Sequence, residues 1–116
     1  MPKKPAPPVD TFPNPEPRRE YTIVIECPEY TSVCPKTGQP DFGTIRIAYS
    51  PARRCLELKS LKTYFYGFRG RGMFFEAAVN LILDDLVASC RPRWMEVTGE
   101  FNVRGGMATT VTARRG

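Results

Sequence analysis

Two side chains with reactive chemistry, Cys34 and Asp41, lie seven residues apart in a segment rich in proline and glycine. A cysteine held in a rigid polar loop can act as a nucleophile when its thiolate form is favoured. The intervening prolines and glycine can fold the segment back so that the thiol and the carboxyl group meet. Because the chain has no histidine, a proton donor beside Cys34 must be an Asp, Glu, Lys or Tyr side chain or water. The alternative for Asp41 is an ordinary turn residue ahead of Gly43.

The other three cysteines fall on predicted strand or helix faces, which is typical of inert core thiols: Cys27, Cys55 and Cys90. The cysteines have no CxxC spacing, and without histidine we expect no metal site. The N-terminal residues lack the apolar run of a secretion signal, and no stretch has the length of a membrane span. We therefore expect free thiols and a cytoplasmic protein. Pairing of Cys90 with Cys34 is left open.

Charged residues on two predicted helices can bind ligands. Lys59 and Lys62 share one helix face and can hold phosphates, or they form an ordinary solvated face. Glu76 directly follows Phe74 and Phe75, so its carboxylate can accept hydrogen bonds from a heterocycle, or it only complements the helix dipole. The net charge of +5 suits an anionic partner. There is no glycine-rich dinucleotide or P-loop motif, so a dinucleotide must bind at a basic surface or a subunit interface.

Hydrophobic periodicity predicts the elements that position these groups. They are strands 21–27 and 43–49, helices 56–68 and 73–89, and strands 93–103 and 107–113. A proline-framed loop over 28–42 joins the strands of the first pair, and a hairpin turn over Arg104, Gly105 and Gly106 joins those of the second. In the third strand, Val103 is predicted to share the packed face of Met95. In the first helix, the predicted apolar stripe begins at Leu58.

The predicted fold class is α+β, a ββααββ antiparallel sheet with two helices on one face. Residues 20–116 form one domain, and the proline-rich residues 1–19 are predicted to be a flexible arm. A four-stranded sheet has two open edges. Edge-to-edge pairing between subunits would cover them, which favours a ring-shaped homo-oligomer.

Two motifs resemble those of a known enzyme family. VCPKTGQPDFG spans Val33 to Gly43, and LELKSLKTYFYGFRGRGMFFE spans Leu56 to Glu76. Over about residues 14–115 the chain is similar to the short, single-module type of NADPH-dependent 7-cyano-7-deazaguanine reductase. These are nitrile reductases of queuosine biosynthesis, a tRNA modification pathway. The resemblance implies a tunnelling fold (T-fold) of pentameric rings, two face to face, with NADPH as cofactor.

The same resemblance implies roles for individual residues. Cys34 is the nucleophile that forms a thioimide, and Asp41 is the proton donor for a reduction that uses two NADPH. The implied substrate contacts are Leu56, Glu57, Leu58, Phe75 and Glu76, and the implied NADPH contacts are Lys59, Lys62 and Arg104. The family usually has histidine where this chain has Phe75, so we interpret Phe75 as a stacking wall.

Three alternatives have different chemistry. The archaeal branch of the family adds ammonia to the same nitrile on tRNA and shares the cysteine and aspartate, but it lacks the lysine helix. A non-catalytic, basic nucleic-acid-binding module would explain the charge but not the Cys34–Asp41 loop. Zinc-dependent pterin enzymes of this fold need histidine ligands. We expect a small-molecule substrate and self-association, with no direct nucleic-acid contact and no membrane.

Overall fold

Residues 7–116 of the protein are described by a computed structural model. One antiparallel sheet has four strands in the order β2-β3-β5-β6, and a smaller sheet pairs β1 with β4. The bounds are β1 (Thr11–Pro13), β2 (Ile23–Val33), β3 (Pro40–Ser50), β4 (Arg54–Leu56), α1 (Leu58–Tyr66), α2 (Phe75–Cys90), β5 (Trp94–Arg104) and β6 (Met107–Arg115).

The core lies on one face of the large sheet. Alternate residues of β3 point into it, and Ile45, Ile47 and Tyr49 are buried as predicted. The apolar side of α2, including Val79 and Ile82, packs against them in the same cluster. The predicted α+β class and the ββααββ order are confirmed.

A β-bulge in β2 changes which residues face the core. Cys27 pairs with Ile45, but the register has shifted by one residue where Tyr30 pairs with Gly43. Odd-numbered residues face the core before the bulge, and Tyr30 and Ser32 face it afterwards. Pro28 lies within the irregularity, where an edge strand tolerates proline. The predicted loop over 28–42 is therefore wrong: both strands extend into it, and the connection shrinks to residues 34–39.

A second bulge, in β5, has the same effect on the other side of β3. The register shifts between Phe101 and Arg104, so Val103 turns outwards with 68% of its surface exposed. The predicted inward position of Val103 is thus wrong, since strict alternation does not survive a bulge. The turn that follows is the predicted hairpin, with positive φ at Gly105 (61°) and Gly106 (79°).

The beginning of α1 also differs from the prediction. Glu57 caps the helix, its carboxylate accepting a hydrogen bond of 2.6 Å from the Ser60 backbone N–H. Leu58, predicted as the first residue of the buried stripe, is 62% exposed because it lies on the outer side of the first turn. Leu61 and Phe68 of the predicted stripe are buried.

The proline-rich N-terminal segment is docked from residue 7 onwards, and positions 1–6 of the predicted flexible arm lie outside the described residues. Val9 is 1% exposed within the core cluster, and its N–H donates to the Ser89 hydroxyl at 3.1 Å. The three residues of β1 pair with β4. For residues 7–19 the structure therefore corrects the arm prediction: one buried valine and a short ladder hold a segment that has few apolar residues.

Candidate active site

Cys34 and Asp41 lie at the end of the β2–β3 hairpin, on its core face. Ser32 is directly opposite Asp41 in the register, and the Cys34 N–H donates to the Gln39 carbonyl at 2.8 Å. Cys34 and Asp41 are therefore diagonal neighbours across the two strands, close enough for their side chains to interact. The seven-residue spacing and the β2 bulge together place both groups on one face.

The loop between them surrounds the Cys34 thiol with hydrogen-bond donors. The loop is closed by a bond from the Gly38 N–H to the Cys34 carbonyl, with φ of 74° at Gly38. The Thr37 hydroxyl and the backbone N–H groups of Thr37 and Lys36 donate to the sulfur and lower the pKa of the thiol, against smaller opposing effects from burial and the Asp41 charge. This arrangement favours the thiolate, which is the reactive form.

Asp41 is buried and paired with Arg104. Its Oδ1 atom is 2.7 Å from a terminal nitrogen of the guanidinium group, and the same nitrogen donates to the Pro40 carbonyl at 2.8 Å. The β5 bulge turns Arg104 towards the core face at this point. Arg104, predicted as an NADPH contact, therefore lies beside the Cys34 and Asp41 side chains.

The beginning of α2 forms the opposite wall of the pocket. The pocket has a volume of about 100 Å³ and is lined by Cys34, Pro35, Asp41, Met73, Phe74, Phe75, Glu76 and Arg104. The Phe75 ring stacks on Phe101 with a centroid distance of 3.9 Å and an interplanar angle of 6°. Glu76 is exposed in the first turn of the helix. Five of the ten predicted site residues thus lie together.

The remaining predicted site residues lie elsewhere in the chain. Leu56 is buried, and its N–H donates to the Tyr49 hydroxyl at 2.9 Å. Glu57 is the cap of α1. Leu58 lies on a separate groove, and Lys59 is exposed beside it on α1. Within one subunit, none of these side chains lines the Cys34 pocket.

The separate groove, with a volume of about 330 Å³, lies between β2 and α1. Its lining is Ile25, Cys27, Pro28, Glu29, Tyr30, Leu58, Leu61, Lys62, Phe65, Tyr66 and Arg69. Although it is the larger concavity, its thiol is a poor nucleophile, because burial raises the pKa of Cys27. Lys62 and Arg69 give it two cations suited to phosphate groups. It is better suited to holding a ligand than to covalent chemistry.

The other thiols are structural. Cys55 and Cys90 are buried, and burial raises the pKa of Cys90 to about 12. Cys90 ends α2, so about 20 Å of helix separates it from the Cys34 pocket at the other end. A disulfide needs Cα atoms within about 7 Å. Cys34 and Cys90 therefore cannot pair within one chain in this conformation.

Sequence reasoning missed several residues around Cys34. Thr37 contacts the thiol, and its position in the turn closed by Gly38 could have predicted this contact from the sequence. The hydroxyls of Tyr30 and Ser32 are buried without a hydrogen-bond partner on the same side of the hairpin as Asp41. No sequence signal places them there, because their orientation depends on the bulge.

Neither metal clusters nor membrane spans are found in the described part of the chain. Across residues 7–116, no three His, Cys, Asp or Glu side chains are grouped so that they could hold a metal ion. Neither of the helices formed by these residues is long and apolar enough to cross a membrane.

Comparison with known proteins gives consistent results. The family model described as QueF-like protein matches residues 40–116. A protein of Anaeromyxobacter sp. (strain Fw109-5), named NADPH-dependent 7-cyano-7-deazaguanine reductase, is 61% identical over 116 residues, which are 100% of this chain and 95% of that protein. A protein of Nitrosococcus oceani with the same name is 57% identical over 113 residues, 97% of this chain and 88% of that protein.

A solved structure is similar in fold. The crystal structure of the archaeosine synthase QueF-Like in its apo form matches with a TM-score of 0.75, covering 80% of this chain and 91% of that one. At 22% identity the match shows the shared fold.

Proposed function

The chain belongs to the QueF-like protein family, and we propose that it is an NADPH-dependent reductase that converts the nitrile of 7-cyano-7-deazaguanine into an aminomethyl group. The observation that carries the proposal is the pairing of an activated Cys34 thiol with Asp41 in one pocket, opposite Phe75 and Glu76. The names of full-length relatives supply the substrate and the cofactor. The reaction belongs to queuosine biosynthesis.

Covalent attack by Cys34 explains why a reactive thiol is needed. A nitrile accepts hydride poorly, whereas a protonated thioimide is a better electrophile. As the Cys34 sulfur bonds to the nitrile carbon, one carbon–nitrogen π bond breaks and the nitrogen takes a proton. Asp41 delivers that proton, so S–H has been added across the triple bond.

The α2 wall recognises the heterocycle. The exposed Glu76 carboxylate accepts hydrogen bonds from the guanine-like edge, a charge-assisted contact with defined geometry. The Phe75 ring, held parallel to Phe101, presents its other face to the purine. Orientation by these two residues places the nitrile carbon at the thiol.

The cations of α1 suit the cofactor. When bound, NADPH supplies the hydride for both reductions. Lys59 and Lys62 lie on one side of α1, and the groove beside them contains Arg69 as well. These side chains, with Arg104 at the Cys34 pocket, are the groups that would hold its phosphates. No glycine-rich phosphate loop competes with them.

We propose that the site is completed between subunits of a ring, a decamer of two pentamers. The large sheet ends in β2 on one side and β6 on the other, and pairing of these edges would close a ring. The proposed residues of α1 and those of the Cys34 pocket do not meet in one chain. Association would bring the α1 of one subunit to the pocket of its neighbour.

The decisive experiment combines the purified protein with 7-cyano-7-deazaguanine and NADPH. We expect loss of nicotinamide absorbance with about two NADPH consumed per amine formed. Without NADPH, intact mass should show one nitrile adduct per wild-type subunit and none for Cys34→Ala. An unmodified wild type, or an active alanine variant, would exclude the covalent mechanism.

A control reaction distinguishes nitrile reduction from the alternative reaction, in which ammonia is added to the nitrile. Archaeosine synthase shares this fold, and the alternative reaction adds ammonia to the nitrile on tRNA. We expect no product from ammonia and nitrile-bearing tRNA. An amidine product without NADPH would overturn the reductase proposal.

Because the four cysteines are free and the reaction uses NADPH, we propose that the protein is located in the cytoplasm.

A further inference from the structure

We infer that Arg104 is a positioning residue for proton transfer, which it serves by holding Asp41 beside the Cys34 thiol. The inference rests on the proposed function and deepens it. The relationship to a known family implies only a cofactor contact for this arginine. The geometry points to a role before any cofactor takes part.

The β5 bulge is what brings Arg104 to Asp41. Odd-numbered residues of β5 face the core up to Phe101. Without the register shift, the next inward residue would be Val103, an aliphatic side chain that cannot pair with a carboxylate. With the shift, Val103 faces solvent and Arg104 reaches the face that carries Asp41. Bulges re-aim side chains in this way next to active sites.

The contact has the features of a built ion pair. The Asp41 side chain is 6% exposed and the Arg104 side chain 37% exposed, with 2.7 Å between Oδ1 and the guanidinium nitrogen. The same nitrogen donates to the Pro40 carbonyl, which fixes the guanidinium along the strand that carries Asp41. Of the three ion pairs among residues 7–116, the other two have separations of 3.7 Å between exposed partners.

In this ion pair the two carboxylate oxygens of Asp41 have different roles. Arg104 binds Oδ1, which leaves Oδ2 to take the proton of the Cys34 thiol and pass it to the nitrile nitrogen. In this relay the S–H bond breaks, the S–C bond forms, and the carboxylate is regenerated with its arginine partner unchanged. Without Arg104 the carboxylate would be buried without its cation and free to rotate away from the thiol.

Formation of the nitrile adduct requires no NADPH. Its rate therefore reports the positioning of Asp41 by Arg104 separately from any role of Arg104 in cofactor binding. We would measure the rate of nitrile adduct formation by intact mass for wild type, Arg104→Met and Arg104→Lys, all without NADPH. We expect Arg104→Met to slow adduct formation by about 10-fold or more. This loss should stay smaller than the one caused by removing the general acid itself, which is typically about 10²–10⁴-fold. Arg104→Lys keeps a cation and should recover part of the rate.

A double-mutant cycle tests whether Arg104 acts through Asp41. In the Asp41→Asn background, Arg104→Met should change the remaining rate by less than about threefold, because the group it positions is already absent. An equal slowing in both backgrounds would overturn the inference, as would a wild-type rate for Arg104→Met with only the KM for NADPH raised. If wild type itself formed no adduct, the proposed function would fail instead.

Discussion

At the scale of single residues, the reactivity of Cys34 depends on the donors around it. The Thr37 hydroxyl is the largest cause of the lowered pKa of the Cys34 thiol. Two backbone N–H groups of the loop act in the same direction. A side-chain substitution can remove the first of these donors while the loop backbone keeps the others.

Thr37→Val should therefore raise the pKa of Cys34 and lower its thiolate fraction at neutral pH. The measurement is the rate of Cys34 alkylation by iodoacetamide against pH, where the midpoint should move to higher pH and the rate at pH values below it should fall. Thr110→Val, on an exposed position of β6, is the matched control and should leave the profile unchanged. An unshifted midpoint for Thr37→Val would mean that the backbone donors alone set the pKa.

The Phe75 ring stacks on Phe101 at the wall of the Cys34 pocket, so substitutions of Phe75 test its proposed contact with the substrate. Phe75→His keeps a planar ring over Phe101 and should be tolerated, with a new titration near the histidine reference pKa of about 6.5 in the rate profile. Phe75→Ala removes the stacking wall and should raise the KM for the nitrile. If Phe75→Ala leaves both KM and kcat unchanged, the ring does not border the substrate, and the role of Glu76 is in doubt with it.

At the scale of elements, hydrophobic periodicity predicted most of the fold, and the bulges explain where it failed. The alternation predicted for residues 43–49 of β3 was correct because that strand is regular between two irregular neighbours. β2 and β5 each gain one residue at a bulge, and a one-residue shift exchanges the two faces of a strand. The sequence therefore predicted that Cys34 and Asp41 lie near each other, which the pocket they share confirms, but it did not place Ser32 beside them and it assigned Val103 to the wrong face.

The docked N-terminal segment shows another limit of sequence reasoning. Its composition predicts an arm because prolines and polar residues dominate it. Its order depends on tertiary contacts of a few groups: Val9 in the core, and the Asn14 side-chain amide donating to the Ala52 carbonyl at 2.8 Å. Single contacts of this kind leave no periodic signal.

Gly99 links strand packing to the pocket, because it lies against the Phe101 ring that stacks on Phe75. A Cβ atom there would lie 2.7 Å from the Phe101 ring and 2.8 Å from a Val79 methyl group. Gly99→Ala should therefore destabilise the fold by about 1–3 kcal/mol through overpacking, and it should raise the KM for the nitrile by pushing Phe101 against Phe75. Urea unfolding and steady-state kinetics measure the two effects. Gly70→Ala, with nothing within 4 Å of the new Cβ atom, is the control and should change neither.

At the scale of the whole molecule, the two groups of proposed site residues are separated in one chain. The Cys34 pocket lies at the end of the β2–β3 hairpin, whereas Lys62 lies in the groove between β2 and α1. A single chain cannot be expected to bring a cofactor held at the groove to a substrate held at the pocket. The open edges of the sheet give a route by which a second chain can do so.

Mixed oligomers test this arrangement directly. Cys34→Ala subunits and Lys59→Ala/Lys62→Ala subunits would be co-expressed with different tags. Alone, the Cys34→Ala subunits should be inactive, and the double lysine variant should be only weakly active at NADPH concentrations below the wild-type KM. Together they should recover roughly a quarter of wild-type activity, because random neighbours in a heterologous ring combine an intact pocket with an intact α1 at that frequency. The matched control mixes Cys34→Ala with Asp41→Asn subunits. These two lesions affect one pocket of one chain, so no combination restores a site and activity should stay at background. If reductase activity recovered only in the control mixture, or in neither mixture, then Lys59 and Lys62 would not serve a neighbouring pocket.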